Sequence, residues 1–117
     1  MAEERRQEQV NLLIRDELAK ILNQEILFPE GVLVTVTRVI SSSDLYYGDV
    51  FVSVFPKKEM EVLALLEKKV AFIQGKLNRK LKMRPIPRIQ FKIDEEEKSR
   101  ERIEKILSET KEGIDTV

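Results

Sequence analysis

Along the first quarter of the chain, Val10, Leu13, Ile14, Leu18, Ile21 and Leu22 recur at steps of three and four, with charged residues between them. On a helix that spacing gathers into one apolar stripe, so it predicts an amphipathic helix over about residues 4–23. The cluster Phe28-Pro29-Glu30-Gly31 breaks the pattern. From Val32 to Ile40 the sequence VLVTVTRVI is β-branched at nearly every position and predicts a strand. Val32, Val34, Val36 and Ile40 share one parity. Arg38 interrupts it, which signals a bulge or an edge position.

The polar stretch SSSDLYYGD follows, with Asp44 and Gly48 as its turn residues, and then Val50, Val52 and Val54 alternate with Phe51, Ser53 and Phe55 in a second strand. The two strands are expected to pair as an antiparallel hairpin with a connection longer than a two-residue turn. From Lys57 to about Leu81, Val62, Leu63, Leu66, Val70, Ile73, Leu77 and Leu81 return to helical spacing with a single glycine, Gly75. This is either one long helix or two helices meeting at a kink. Pro85 and Pro87 stop it, since proline lacks the amide proton and crowds the preceding turn. RIQFKI adds a third strand with Ile89, Phe91 and Ile93 on one face. A right-handed helical crossover would lay it parallel to the second. DEEEKSRERIEKILS predicts a last helix anchored by Ile103, Ile106 and Leu107, acidic at the end where the helix dipole favours anions. The expected organisation is one domain over residues 1–108 and a frayed tail over 109–117.

Composition narrows the chemistry. A chain of 117 residues, 42% apolar, suits one hydrophobic core. It contains no run of eighteen apolar residues, and MAEERRQEQV is charged with no apolar segment behind it, so neither a membrane span nor a signal peptide is predicted and the cytoplasm is the expected location. There is no cysteine and no histidine, which removes disulfides, thiolate nucleophiles, the usual zinc ligands and imidazole acid–base catalysis. Asp44 and the serines beside it have no base and oxyanion site around them in the pattern, so no enzyme, cofactor or metal is expected.

Charge changes the picture most. The formal net charge is zero, with 21 basic and 21 acidic residues, yet nine of the basic ones (Lys68, Lys69, Lys76, Arg79, Lys80, Lys82, Arg84, Arg88 and Lys92) fall in a segment that holds no acid. The remainder of the chain is correspondingly acidic. Such segregation points to a polyanionic partner, nucleic acid first. On a straight helix Lys68, Phe72, Lys76 and Arg79 line the side opposite Leu66, Val70, Ile73 and Leu77. Lys80, Lys82, Arg84 and Arg88 carry the ridge past the helix end, where cations also complement the dipole. The dipole contributes only about 0.3–1 kcal/mol per charge, too little to account for a segment without a single acid. Lys68, Lys69, Lys76, Arg79, Lys80, Lys82, Arg84 and Arg88 are therefore the expected RNA-binding residues. Phe72 is expected in the core if the helix bends, and exposed and able to stack on a base if it is straight; a bend places it inside. Tyr46 and Tyr47 either stack on RNA or cover the sheet rim. Arg5, Arg6 and Arg15 sit among glutamates and carry less weight.

The order helix, strand, strand, long helix, strand resembles a bacterial, type II K-homology domain, α-β-β-α(kink)α-β, an α+β fold whose C-terminal helix would pack on or beside the three-stranded sheet. More specifically, the chain resembles the ribosome-binding factor A family from about Arg5 to Leu107. The resemblance is carried by Val10, Ile14, Glu17, Leu18, Ile21 and Leu22, by VTVTRV, by Asp44-Leu45, by DVFVSVF, by Phe72-Ile73 and by LKMRPIPRIQFKID. It implies a non-catalytic protein that binds the immature small (30S) ribosomal subunit and its 16S rRNA, assists late maturation and supports growth in the cold. It also implies a monomer, with ribosomal proteins as further candidate partners and no membrane association. The family lacks the Gly-x-x-Gly loop of ordinary K-homology domains, as does this chain, and has an Ala-x-Gly kink where this chain reads Lys69-Val70-Ala71, with Gly75 following. Two other readings remain: a generic K-homology module for mRNA or small RNA, and an adaptor whose acidic segment at Glu95 to Glu97 binds a basic protein.

Overall fold

The computed structural model describes residues 2–96 and 106–107, with side chains from Glu4 onward. Helix α1 spans Ala2–Glu25, strand β1 Leu33–Ser41, strand β2 Tyr47–Phe55, helix α2 Glu59–Lys80 and strand β3 Arg88–Ile93. β1 and β2 pair antiparallel, β2 and β3 parallel, giving the sheet order β1-β2-β3. The long connection through α2 is what a parallel neighbour requires, because its strand must start again at the same end of the sheet.

One face of the sheet is buried. Val36 and Val39 of β1, Val50 and Val52 of β2, and Ile89 and Phe91 of β3 form it, with Val36 opposite Val52 and Val50 opposite Phe91. Against this face α1 places Val10, Ile14, Leu18, Ile21 and Leu22, and α2 places Val62, Leu66, Ile73 and Leu77. The helical stripe predicted for α1 is thus correct except at Leu13, which is 54% exposed. Two helices on one face of a three-stranded sheet make a two-layer α+β domain.

Arg38 does mark a bulge. Val36 faces Val52 and Arg38 faces Phe51, so Thr37 is an extra residue on β1. Because side chains alternate with a period of two, that insertion swaps the faces beyond it. Val39 turns inward, and Ile40, expected to share the inner parity, is exposed. The bulge is tied to the end of β3. The Thr37 hydroxyl lies 2.5 Å from a carboxylate oxygen of buried Asp94 and 3.2 Å from the Phe51 carbonyl. The Arg38 Nε stands 3.4 Å from the same carboxylate. Its guanidinium carbon lies 4.2 Å from the centre of the Phe51 ring.

α2 runs without interruption from Glu59 to Lys80. Phe72 therefore takes the straight-helix position, 46% exposed with the Lys76 ammonium 5.6 Å from its ring centre, which corrects the core placement that a bend would have required. At Gly75 an added Cβ would meet only the Arg79 Nη2, at 3.7 Å. The expected C-terminal helix falls mainly on residues 97–105, outside the described residues; Ile106 and Leu107 are helical and exposed.

Candidate nucleic-acid interface

The helix end and the strand start that carry the basic segment are built from a few specific contacts. Leu81 leaves α2 in an extended conformation, its N–H donating to the Leu77 carbonyl at 3.0 Å. Arg84 folds back over the helix end, its Nη1 donating to the Met83 carbonyl at 2.8 Å and the Leu81 carbonyl at 3.3 Å. β3 is an edge strand, so half of its backbone groups point away from β2. Gln74, on α2, satisfies the first of these: its Nε2 donates to the Pro87 carbonyl at 3.1 Å and its Oε1 accepts from the Ile89 N–H at 2.9 Å. One helical amide thus closes the open edge just where the chain enters the sheet. Arg88, between those two groups, donates its own N–H to the Tyr46 carbonyl at 2.8 Å and leaves its side chain exposed.

The structure divides the nine basic residues of the segment. Lys76 is half-buried and lies 3.6 Å from Glu25 at the end of α1. Lys92 lies 3.0 Å from Asp49 across the β2–β3 register. Lys68, Lys69, Arg79, Lys80, Lys82, Arg84 and Arg88 are exposed and form no ion pair with a carboxylate among the described residues. Five of them, Arg79 to Arg88, crowd the C-terminal end of α2 and the turn into β3, where the last turn of the helix also presents its negative dipole end. Lys68 and Arg79 lie on the same outer side of α2 as Phe72, one turn before it and two turns after it. Sequence reasoning identified the cations; it missed Glu25 and Asp49, which lie far along the chain and carry no local signal for pairing.

The loop opposite this turn is well defined. Asp44 Oδ1 accepts from the Ser42 hydroxyl at 2.6 Å and from the Tyr46 N–H at 3.0 Å, and those two hydrogen bonds, in that order, hold its carboxyl below the usual carboxylate range. At the other end of the sheet, a groove of about 340 Å³ lies between the end of α1 and β1. Its lining, Leu22, Ile26, Phe28 and Val34 among others, contains no charged side chain, so it lacks what a polyanion would need.

A three-stranded mixed sheet backed on one face by two helices, with the parallel pair joined through the long helix, is a K-homology-like fold, here with its basic residues concentrated beside β3. The family model of ribosome-binding factor A matches residues 6–107, and the chain belongs to that family. It is 37% identical over 117 residues to ribosome-binding factor A of Natranaerobius thermophilus, an alignment covering 98% of this chain and 86% of the relative. The crystal structure of ribosome-binding factor A from Thermus thermophilus superposes with a TM-score of 0.64 at 25% identity, covering 74% of this chain and 93% of that one. A homology model of the Thermus thermophilus protein, fitted into a cryo-EM map of its complex with the 30S subunit, is also similar, with a TM-score of 0.62 at 26% identity over 70% of this chain and 88% of that one.

Proposed function

We propose that this protein binds the immature small ribosomal subunit and contacts 16S rRNA through Lys68, Lys69, Arg79, Lys80, Lys82, Arg84 and Arg88, with Lys76 at the margin of the surface. It acts as a monomeric, non-catalytic assembly factor in the cytoplasm, aiding a late step of 16S rRNA maturation and growth in the cold. The observation that carries this reading is the set of five exposed cations from Arg79 to Arg88, none paired with a carboxylate among the described residues. Charges already neutralised within the protein release few counterions on meeting RNA, whereas free ones displace them phosphate by phosphate. Contacts of this type position a protein on folded RNA without reading bases, so selectivity comes from the shape of the subunit. The family relationship and the 30S complex of the Thermus thermophilus relative support the choice of the small subunit.

The test is sedimentation with salt-washed small subunits. The chain is expected to co-sediment, and the variant Lys80→Glu, Lys82→Glu, Arg84→Glu to remain in the supernatant. Equal recovery of the two would contradict the assignment of the surface. Equal affinity for unstructured RNA and for subunits would replace it with a generic RNA-binding module.

A further inference from the structure

We infer that Tyr46 and Tyr47, where the hairpin loop enters β2, form a stacking platform for unpaired RNA bases beside Arg88 at the start of β3; this rests on the RNA-binding reading above and adds to it a surface that contacts bases. The two side chains are 65% and 63% exposed. They are the only tyrosines in the chain, which has no tryptophan.

The backbone that carries these rings is fixed. The Ser42 N–H donates to the Tyr47 carbonyl at 2.8 Å and the Leu45 N–H to the Ser42 carbonyl at 2.9 Å. The Tyr47 N–H donates to the Ser42 Oγ at 3.1 Å, and the Tyr46 N–H to Asp44 as described. Leu45 is held at a φ of 62°, a left-handed conformation that a leucine keeps only where its surroundings impose it. A loop ordered in this way has little backbone entropy left to lose on binding, and a tyrosine side chain adds only two torsions.

Arg88 is the neighbour of both tyrosines along the β2–β3 pairing. Tyr47 is opposite Arg88 in the parallel register, and their successors Gly48 and Ile89 are also opposite each other and buried, so Tyr47 and Arg88 share the outer face one strand spacing apart, about 4.8 Å. Tyr46 is joined to Arg88 through the backbone at 2.8 Å. A single-stranded nucleotide offers a π-face and a phosphate a short distance apart, and this corner offers a ring for the one and Arg88 for the other. Asp44, exposed and bound to the Tyr46 N–H, disfavours a phosphate at the loop, while Asp49 on the same face as Tyr47 is neutralised by Lys92. A protein partner would leave the unpaired arginines unmatched unless it were acidic at this point, so the charge pattern favours RNA.

The test uses the full chain and a single-stranded RNA of about eight nucleotides, within the usual site size for such surfaces. The tyrosine ring signals, followed by NMR, report on Tyr46 and Tyr47 alone. Both are expected to shift on titration. The variant Tyr46→Ala, Tyr47→Ala is expected to bind roughly tenfold or more weakly, as loss of stacked bases predicts, with an unchanged thermal midpoint. Tyr46→Phe, Tyr47→Phe is expected to retain binding, because stacking does not need the hydroxyl, and neither variant removes a charge, so the salt dependence stays the same. Salt-dependent binding with unmoved tyrosine signals and an alanine variant as tight as the parent would overturn the platform and leave the cationic surface standing. If the Lys80→Glu, Lys82→Glu, Arg84→Glu variant also bound normally, the RNA-binding reading itself would fail. Loss of subunit binding by the alanine variant with undiminished binding to the single-stranded RNA would assign the rings to a protein contact, again overturning the platform.

Discussion

Lys76 and Lys92 belong to the same acid-free segment as Arg79, Lys80, Lys82, Arg84 and Arg88, yet the fold uses them differently. Lys76 reaches Glu25 on α1 and Lys92 reaches Asp49 on β2, so both serve as ties between elements. The other five lie on the last turn of α2, on the connection after it and at the first position of β3, and no acidic neighbour among the described residues meets them. Residue type is identical in the two regions and tertiary surroundings are not. A cation is available to a partner only if the fold has not already paired it.

Altering one region at a time separates the two roles. Lys80→Glu, Lys82→Glu, Arg84→Glu is expected to weaken subunit binding about a hundredfold at moderate salt, since each reversal removes one counterion-releasing contact and adds a repulsion. Lys76→Ala, Lys92→Ala is expected to change affinity less than about threefold, because those charges are already compensated. Equal losses in a filter-binding measurement would erase the distinction between the regions. Next in size, Gln74→Ala leaves the Ile89 N–H and Pro87 carbonyl without their helical partner and is expected to cost about 1–3 kcal/mol in urea unfolding. That would show the cationic turn to be held from α2 and not only from β2.

Gly75→Ala is expected to stabilise the protein by about 0.5–1 kcal/mol, because an added Cβ makes only an ordinary contact with Arg79 and alanine is the better helix former. A destabilised variant would mean that the helix needs glycine to bend there. The smallest effect concerns the loop. Hydrogen bonds from Ser42 and Tyr46 lower the Asp44 pKa from its ordinary value of 3.8, so the carboxylate stabilises the folded state fully above that value. The contribution disappears as pH falls through the lower, folded-state value. The advantage of the parent over Asp44→Asn in thermal midpoint is accordingly expected at neutral pH and should vanish in strong acid.

Much of this architecture was legible in the sequence because it depends on period and punctuation. The stripe of Val10, Ile14, Leu18, Ile21 and Leu22, the alternation around Val50 and Val52, and the prolines after α2 each act over a few residues. Arg38 announced the bulge, but the consequence for Ile40 required knowing that the extra residue is Thr37, which only the pairing with Phe51 and Val52 reveals. Phe72 was misplaced for a related reason: a kink borrowed from the family's Ala-x-Gly was expected where this chain has Lys69-Val70-Ala71, and the continuous helix keeps the ring on the outer side. The Gln74 clamp and the two long-range ion pairs join residues far apart in the chain, and no local pattern encodes them.

The salt dependence of binding to salt-washed small subunits reports how many of these cations meet phosphates. If the cations of α2 and the turn into β3 displace counterions, log affinity should fall steeply and linearly with log salt, and the Lys80→Glu, Lys82→Glu, Arg84→Glu variant should lose about two units of that slope or more. A shallow slope, or one that the triple variant shares with its parent, would contradict the account.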